Sequence, residues 1–266
     1  HSIRRRQRQM CIRDSLLVIY SDRPVIKDVN GDGNVDILTF GQQASAIEFH
    51  ENIQNCGLDF IRADACWGDF LENNLSNSLT IDACTGSTPP APSFTDKLTH
   101  TGSTMLAADL SGNGLLDILL GDVSFDNAVA GFNVGDTLLA NIESQDTTWP
   151  INDIPVNIPA FPGFSFADGN NDGLKDIIVA PNMQAGRSDT CVWMYTNNGT
   201  LSNPIWVLTD SSFLQNQMLD AGRYAIPELV DITSNGLLDL IVGTSQGIGS
   251  VSYTHLRAHE TRIHLV

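Results

Sequence analysis

Basic side chains are scarce in this 266-residue chain: 14 lysines and arginines stand against 31 aspartates and glutamates, a formal charge of −17. A surface this acidic repels phosphate backbones and anionic lipid, which argues against nucleic acid and membrane surfaces as partners and favours cations. Long apolar runs are missing as well. None approaches the roughly 18 residues that a membrane helix needs, so no membrane span is expected. No long segment carries a helical apolar period. Nucleophile elbows, HExxH and phosphate-cradling glycine loops are absent too, which leaves catalytic constellations thin. What the chain does have is 42% hydrophobic residues, enough for a packed core and against wholesale disorder. The length suits one larger all-β or α/β domain, or two smaller ones.

The few basic residues are unevenly placed: five of the 14 fall in residues 1–15 and two in 250–266. The first segment, HSIRRRQRQMCIRDS, reads as a nuclear-localisation arm, and His255 and His259 look like a helical metal pair. The coding sense overrules both. Met10–Ser15 back-translates as ATG TGT ATA AGA GAC AG, whose reverse complement reads through Val251–His255 as GTC TCT TAT ACA CAT. Two protein ends have no physical reason to be complementary strands. Transposase-type sequencing adapters do, and Arg5–Gln9 and Leu256–Thr261 look like the flanking adapter arms. Residues 1–15 and 250–266 are therefore set aside as adapter-derived, non-native and expected to pack loosely. The remaining 16–249 hold 7 basic and 29 acidic residues, a charge of −22. The natural protein is expected to continue in both directions.

Four segments align without gaps: Asp28–Leu38 (DVNGDGNVDIL), Asp109–Leu119 (DLSGNGLLDIL), Asp168–Ile178 (DGNNDGLKDII) and Asp231–Ile241 (DITSNGLLDLI). Their first aspartates are spaced by 81, 59 and 63 residues. Each segment follows a short apolar stretch and leads into a β-type run: ILTFG, ILLGD, IIVAP or LIVGT. Further strand-like runs appear at Ala46–His50, Val129–Val134 and Val192–Thr196, with turn-rich polar stretches between them. A repeat of about 60 residues made of several short strands is the signature of a propeller blade. The expected fold is all-β: a partial β-propeller of about four-stranded blades with metal loops between strands.

The repeated loops 28–36, 109–117, 168–176 and 231–239 place oxygen donors at positions 1, 3, 5 and 9 and glycine at position 6. In order these are Asp28, Asn30, Asp32 and Asp36; Asp109, Ser111, Asn113 and Asp117; Asp168, Asn170, Asp172 and Asp176; Asp231, Thr233, Asn235 and Asp239. A hard cation such as Ca2+ takes six to eight oxygens at about 2.3–2.6 Å, and alternate residues of a tight loop converge on one point. Position 7 (Asn34, Leu115, Leu174, Leu237) would add its backbone carbonyl. Clustered carboxylates repel without a cation, and soft ligands for zinc or copper are missing. An EF-hand needs an acid at position 12 and a following helix. Here position 12 is Thr39, Leu120, Val179 or Val242, inside β-type runs, which excludes it. The tandem nonapeptides of a calcium β-roll are absent too. The simpler alternative is that such loops are metal-free turns, which Asp, Asn and Gly also suit.

The pattern D-x-[ND]-x-[DN]-G-x-x-D-[IL] flanked by strands resembles the FG-GAP and VCBS-type repeats of integrin-like β-propellers. Stretches such as THTGSTMLAADLSGNGLLDILLGDVSFDN and FLQNQMLDAGRYAIPELVDI resemble secreted Bacteroidetes propeller proteins with type IX sorting domains. The resemblance implies an extracellular or cell-surface location, structural calcium, and adhesion or contact with polysaccharide or protein. Copies two and four depart from it, with Ser111/Asn113 and Thr233/Asn235 in place of acids. Copies one and three, with three carboxylates each, are therefore expected to bind calcium more tightly.

The first interval is about 20 residues longer than the others and contains Cys56, Cys66 and Cys84, so residues 52–97 are expected to be an insertion. A disulfide stapling it is expected, with Cys66–Cys84 favoured among connectivities that sequence leaves open. Cys191 alternates with Trp193 and Tyr195 and reads as a buried thiol. His50 and His100 read as structural, the hydroxyls of THTGST as turn formers, and the sequons at Asn74 and Asn198 as chance. Trp67, Trp149, Trp193 and Trp206 offer either a sugar platform or core packing, with core the better reading for Trp193. The expected function is a calcium-binding extracellular module for adhesion, carbohydrate or protein binding. The rival is the propeller part of a secreted polysaccharide-degrading enzyme, although no carboxylate pair outside the loops is evident.

Overall fold

A computed structural model describes residues 16, 18, 21–41, 45–54, 59–73, 75–84, 102–158, 161–182, 192–214, 226–245 and 251–256. Residues 1–15, Cys56, Asn74, His100, Cys191 and His259 lie outside them. The described residues are all-β, and no helix among them is long and apolar enough to cross a membrane. The chain divides into two compact units, His1–Phe213 and Leu214–Val266.

The first unit contains three four-stranded antiparallel meanders. Sheet one runs β1 (Val25–Lys27), β2 (Asp36–Phe40), β3 (Ile47–Asn52) and β4 (Phe60–Asp64). A two-stranded hairpin, β5 (Phe70–Asn73) and β6 (Ser78–Ile81), follows it. Sheet two has β7 (Ser103–Ala108), β8 (Asp117–Asp122), β9 (Ala128–Asn133) and β10 (Ile142–Asp146). Sheet three has β11 (Pro162–Ala167), β12 (Asp176–Pro181), β13 (Trp193–Asn197) and β14 (Trp206–Asp210). The second unit is a three-stranded sheet of β15 (Ile226–Val230), β16 (Asp239–Ser245) and β17 (Val251–Leu256).

Each repeated loop joins the first and second strands of its sheet, in one register. Lys27 faces Asp36, Ala108 faces Asp117, Ala167 faces Asp176 and Val230 faces Asp239. The apolar run after each final aspartate becomes a strand because neighbours cover it; in β8 (DILLGD) every residue is buried. One core joins sheets one and two through Leu38, Ile47, Met105, Ile118 and Leu120, with Trp67 and Phe70 of the inserted segment beside them. A second joins sheets two and three through Leu119, Ala130, Ile177, Tyr195 and Trp149. First strands are neighbours: Arg23, just before β1, bridges in parallel to Thr104 of β7, and the Thr104 hydroxyl donates to the Pro162 carbonyl of β11. At Gly121 a Cβ would lie 2.2 Å from that same carbonyl, so this close approach requires glycine.

Three expectations change. Phe60–Asp64 is not part of an insertion but the outer strand of sheet one; its mostly exposed side chains carry no alternation that would have marked it. The added material is narrower, a hairpin closed by the Cys66–Cys84 disulfide. Ser103 and Thr104 form no turn either: they are buried in β7, and the Ser103 hydroxyl donates to Glu72 at 2.7 Å. Residues 251–256, expected to pack loosely, pair with β16 from Leu240↔Leu256 to Ser245↔Val251. An open strand edge accepts any extended segment with compatible alternation, whatever its origin.

Candidate metal centre

The loops fold around their first and last aspartates. In copy one, Asp28 accepts the amides of Gly31 at 2.7 Å and Gly33 at 2.9 Å. Asp109 does the same for Gly112 and Gly114 (2.7 and 2.9 Å), and Asp168 for Asn171 and Gly173 (2.7 and 3.0 Å). Asp231 accepts from Asn235 and Gly236. The position-6 glycines all take left-handed φ: 88° at Gly33, 86° at Gly114, 92° at Gly173 and 84° at Gly236. Position 4 is left-handed too, at Gly31, Gly112, Asn171 and Ser234. Sequence reading missed that position because glycine fills only two copies; asparagine tolerates the same conformation.

The ninth-position aspartates are the buried members, with Asp36, Asp117 and Asp176 at 0% exposure. Asp36 accepts the Val29 amide and, from the end of β3, the Asn52 amide, both at 2.9 Å. Asp117 accepts from Leu110, Ser111 and Asn133, and Asp176 from Gly169 and Asn197. In copy four, Asp239 accepts the Ile232 amide at 3.2 Å. Burial pushes the Asp117 carboxyl above its ordinary range, while the amides of Asn133, Ser111 and Leu110 and the Ser111 hydroxyl pull it down. A cation alongside would favour the charged form.

Positions 3 and 5 are more exposed and cap their own loop. Asn30 accepts the Asp32 amide at 3.0 Å, and Asp32 accepts the backbone and side-chain amides of Asn34 at 2.7 and 2.9 Å. Those bonds, the backbone one foremost, hold the Asp32 carboxyl below the usual carboxylate range. Asn34 thus spends its side chain inside the loop and would have only its carbonyl to offer.

Among the described residues, one group of three carboxylates converges: Asp28, Asp32 and Asp36, with ligand oxygens within 4.8 Å of one another. Carboxylate oxygens this close together could hold a metal ion between them. Asp168, Asp172 and Asp176 do not meet that spacing. In copy three Asp172 is held by the Asn170 side chain at 2.8 Å, whereas in copy one the holding amide is Asn34. Loop two is braced from outside: the Trp206 indole donates to the Leu110 carbonyl at 3.0 Å, and a Cβ on Gly112 would lie 2.5 Å from the Ser202 backbone.

A cleft of about 730 Å³ opens between sheets one and two, lined by Glu51, Asp64, Asp69, Asp82 and Asp136 around the Cys66–Cys84 disulfide. Sequence reading missed this acidic wall because its members come from four separate segments. The amides of Leu139 and Leu138 hold Asp136 below the usual carboxylate range. The tryptophans are core residues here: Trp67, Trp149 and Trp206 are buried and Trp193 packs against the second core. His50 is buried in β3 beside Glu48, at 3.1 Å. No family model matches the chain, and no curated protein matches it.

Proposed function

We propose that this chain is part of a secreted or cell-surface β-propeller of the FG-GAP/VCBS type, stapled by calcium, that serves as a binding scaffold for extracellular protein or polysaccharide. The observation that carries the reading is the convergence of Asp28, Asp32 and Asp36 at the mouth of a loop that recurs at one register in four sheets. Adjacent first strands in consecutive four-stranded meanders support the propeller. Calcium would staple each loop to its sheet rather than take part in a reaction. Calorimetric titration tests this: saturable calcium binding that Asp32→Asn weakens is expected. Heat no larger than that of buffer dilution would reduce the loops to metal-free turns.

A second reading, a polysaccharide-degrading enzyme, takes its support from the acidic cleft. General-acid catalysis needs a carboxyl held protonated near neutrality. Asp136 is shifted the opposite way, by amides that stabilise its charge. Binding is the better supported reading, and release of reducing ends from acidic or neutral polysaccharides would reverse that order.

A further inference from the structure

The third strands of all three complete sheets end on asparagine: Asn52 in β3, Asn133 in β9 and Asn197 in β13. Each is buried, and each donates its backbone amide to the ninth-position aspartate of its loop, at 2.9, 2.8 and 3.0 Å. The side chain then faces the other way along the chain. Asn133 Oδ1 accepts the amides of Gly135 and Asn141, both at 2.9 Å. Asn197 Oδ1 accepts those of Gly199 at 2.9 Å and Ile205 at 3.1 Å, and Asn52 Oδ1 those of Gln54 and Asp59. These acceptor pairs hold the turn between the third and fourth strands at both of its ends.

We infer that Asn52, Asn133 and Asn197 are positioning residues that couple cation binding in each loop to the order of the outer turn of the same sheet. The inference rests on the calcium reading above. A carboxylate has about four acceptor positions, and Asp176 uses two of them on Gly169 and Asn197. A cation takes a remaining one, fixes the carboxylate, and so restrains the backbone of Asn197, whose side chain already carries the turn. In sheet two the turn held by Asn133 walls the acidic cleft, and there a cation would have to displace the Ser111 hydroxyl from Asp117, whose acceptor positions are already taken. Calcium would then set the shape of that wall without touching it.

Amide hydrogen exchange on the full chain, with and without calcium, tests the coupling in sheet three. The reporters are turn amides that do not bind Asn197: Asn198, which donates to the Ile205 carbonyl, and Thr200, which donates to Asn203. Saturating calcium at a hundredfold excess over Kd slows fully coupled amides by up to about a hundredfold. We expect the turn amides to slow together with the loop amides of Asn171 and Gly173. In Asn197→Ala the loop should still respond and the turn should not, while Asn197→Asp, which keeps an acceptor oxygen, should retain the response. A wild-type turn indifferent to calcium beside a responding loop overturns the coupling, as does a turn that responds equally in Asn197→Ala. The wild-type comparison decides the matter even if Asn197→Ala does not fold. Loop amides indifferent to calcium in copy one as well, at Gly31 and Gly33, would instead refute the calcium reading itself.

Discussion

Asp117 and Asn133, sixteen residues apart, are joined by a 2.8 Å bond from the Asn133 amide to a carboxylate that solvent does not reach. A buried charge is costly unless hydrogen-bonded. Here the amides that stabilise it also fix where loop two meets β9. Asp117→Ala removes the acceptor and leaves three amides, of Leu110, Ser111 and Asn133, without it. Each unsatisfied buried donor costs about 1–3 kcal/mol. Of these residues Leu110 and Asn133 are buried while Ser111 is exposed, so we expect Asp117→Ala to lose about 2 kcal/mol or more in denaturant unfolding. A loss below about 0.5 kcal/mol would mean that water replaces the carboxylate.

Calcium affinity should differ between loops. Sequence counts three carboxylates in copies one and three, but the structure gathers only those of copy one. Affinity follows both ligand charge and preorganisation. Asp32→Asn should therefore cost more calcium affinity than Asp172→Asn, and Asn113→Ala should cost least. Each calcium at a hundredfold excess over its Kd contributes about 2.7 kcal/mol, so chelation should lower the melting temperature and calcium restore it. Magnesium should restore it poorly, because it dehydrates reluctantly and demands a smaller octahedral site. Equal losses from the three variants would show that charge count and geometry do not set occupancy.

Much of this was legible in the sequence because the loops are local. Positions 1 to 9 fold on themselves, so spacing alone marks Asp28 and Gly33, and the runs ILTF and ILLG announce β2 and β8. The asparagines escaped notice because their partners are sixteen residues away or more, across a turn of variable length. The acidic cleft escaped for the same reason: Glu51, Asp82 and Asp136 meet only after sheets one and two pack. Phe60–Asp64 was hidden by its exposure, since an outer strand has little apolar pattern to display.

The close approach at Gly121 is sharply testable. A methyl group there would lie 2.2 Å from the Pro162 carbonyl and 2.9 Å from the Thr104 hydroxyl, and a backbone atom cannot swing aside as a side chain can. Overpacking of this kind costs about 1–3 kcal/mol. Gly121→Ala should destabilise the protein by that amount, whereas Gly114→Ala meets no atom within 4 Å and suffers only from its φ of +86°. Similar thermal shifts in Gly121→Ala and a surface control would contradict the seating of β8 against β11.

Reduction of the Cys66–Cys84 disulfide releases a loop with a sequence separation of 18. Chain-entropy arguments place such a link at about 3 kcal/mol. The cleft should suffer first, because both cysteines line it beside Asp64, Asp69 and Asp82. Cys66→Ala/Cys84→Ala should lower the unfolding midpoint and loosen the β5–β6 hairpin while the second core keeps its near-ultraviolet signal. Unchanged stability in the double variant would mean that the hairpin is held by Trp67 and Phe70 alone.

The alkaline limit of stability should be set in part by Tyr195. Its ring is fully buried between Trp149 and Trp193, and its hydroxyl donates to the Ile154 carbonyl at 3.1 Å. Burial, with the Asp153 carboxylate adding to it, pushes the phenol well above its ordinary range. A group whose folded pKa is raised contributes stability that is fully present below its unfolded pKa, about 10 for tyrosine. That stability is lost as pH climbs from there through the folded value, because the unfolded chain releases the proton more readily. Stability should accordingly fall above about pH 10, and Tyr195→Phe, which cannot ionise, should flatten the fall at the cost of the Ile154 bond. In a spectrophotometric titration, one of the chain's 4 tyrosines should ionise only as the fold is lost. Four ordinary, reversible phenolate transitions in the folded protein would place Tyr195 in water and undo the packing described for the second core.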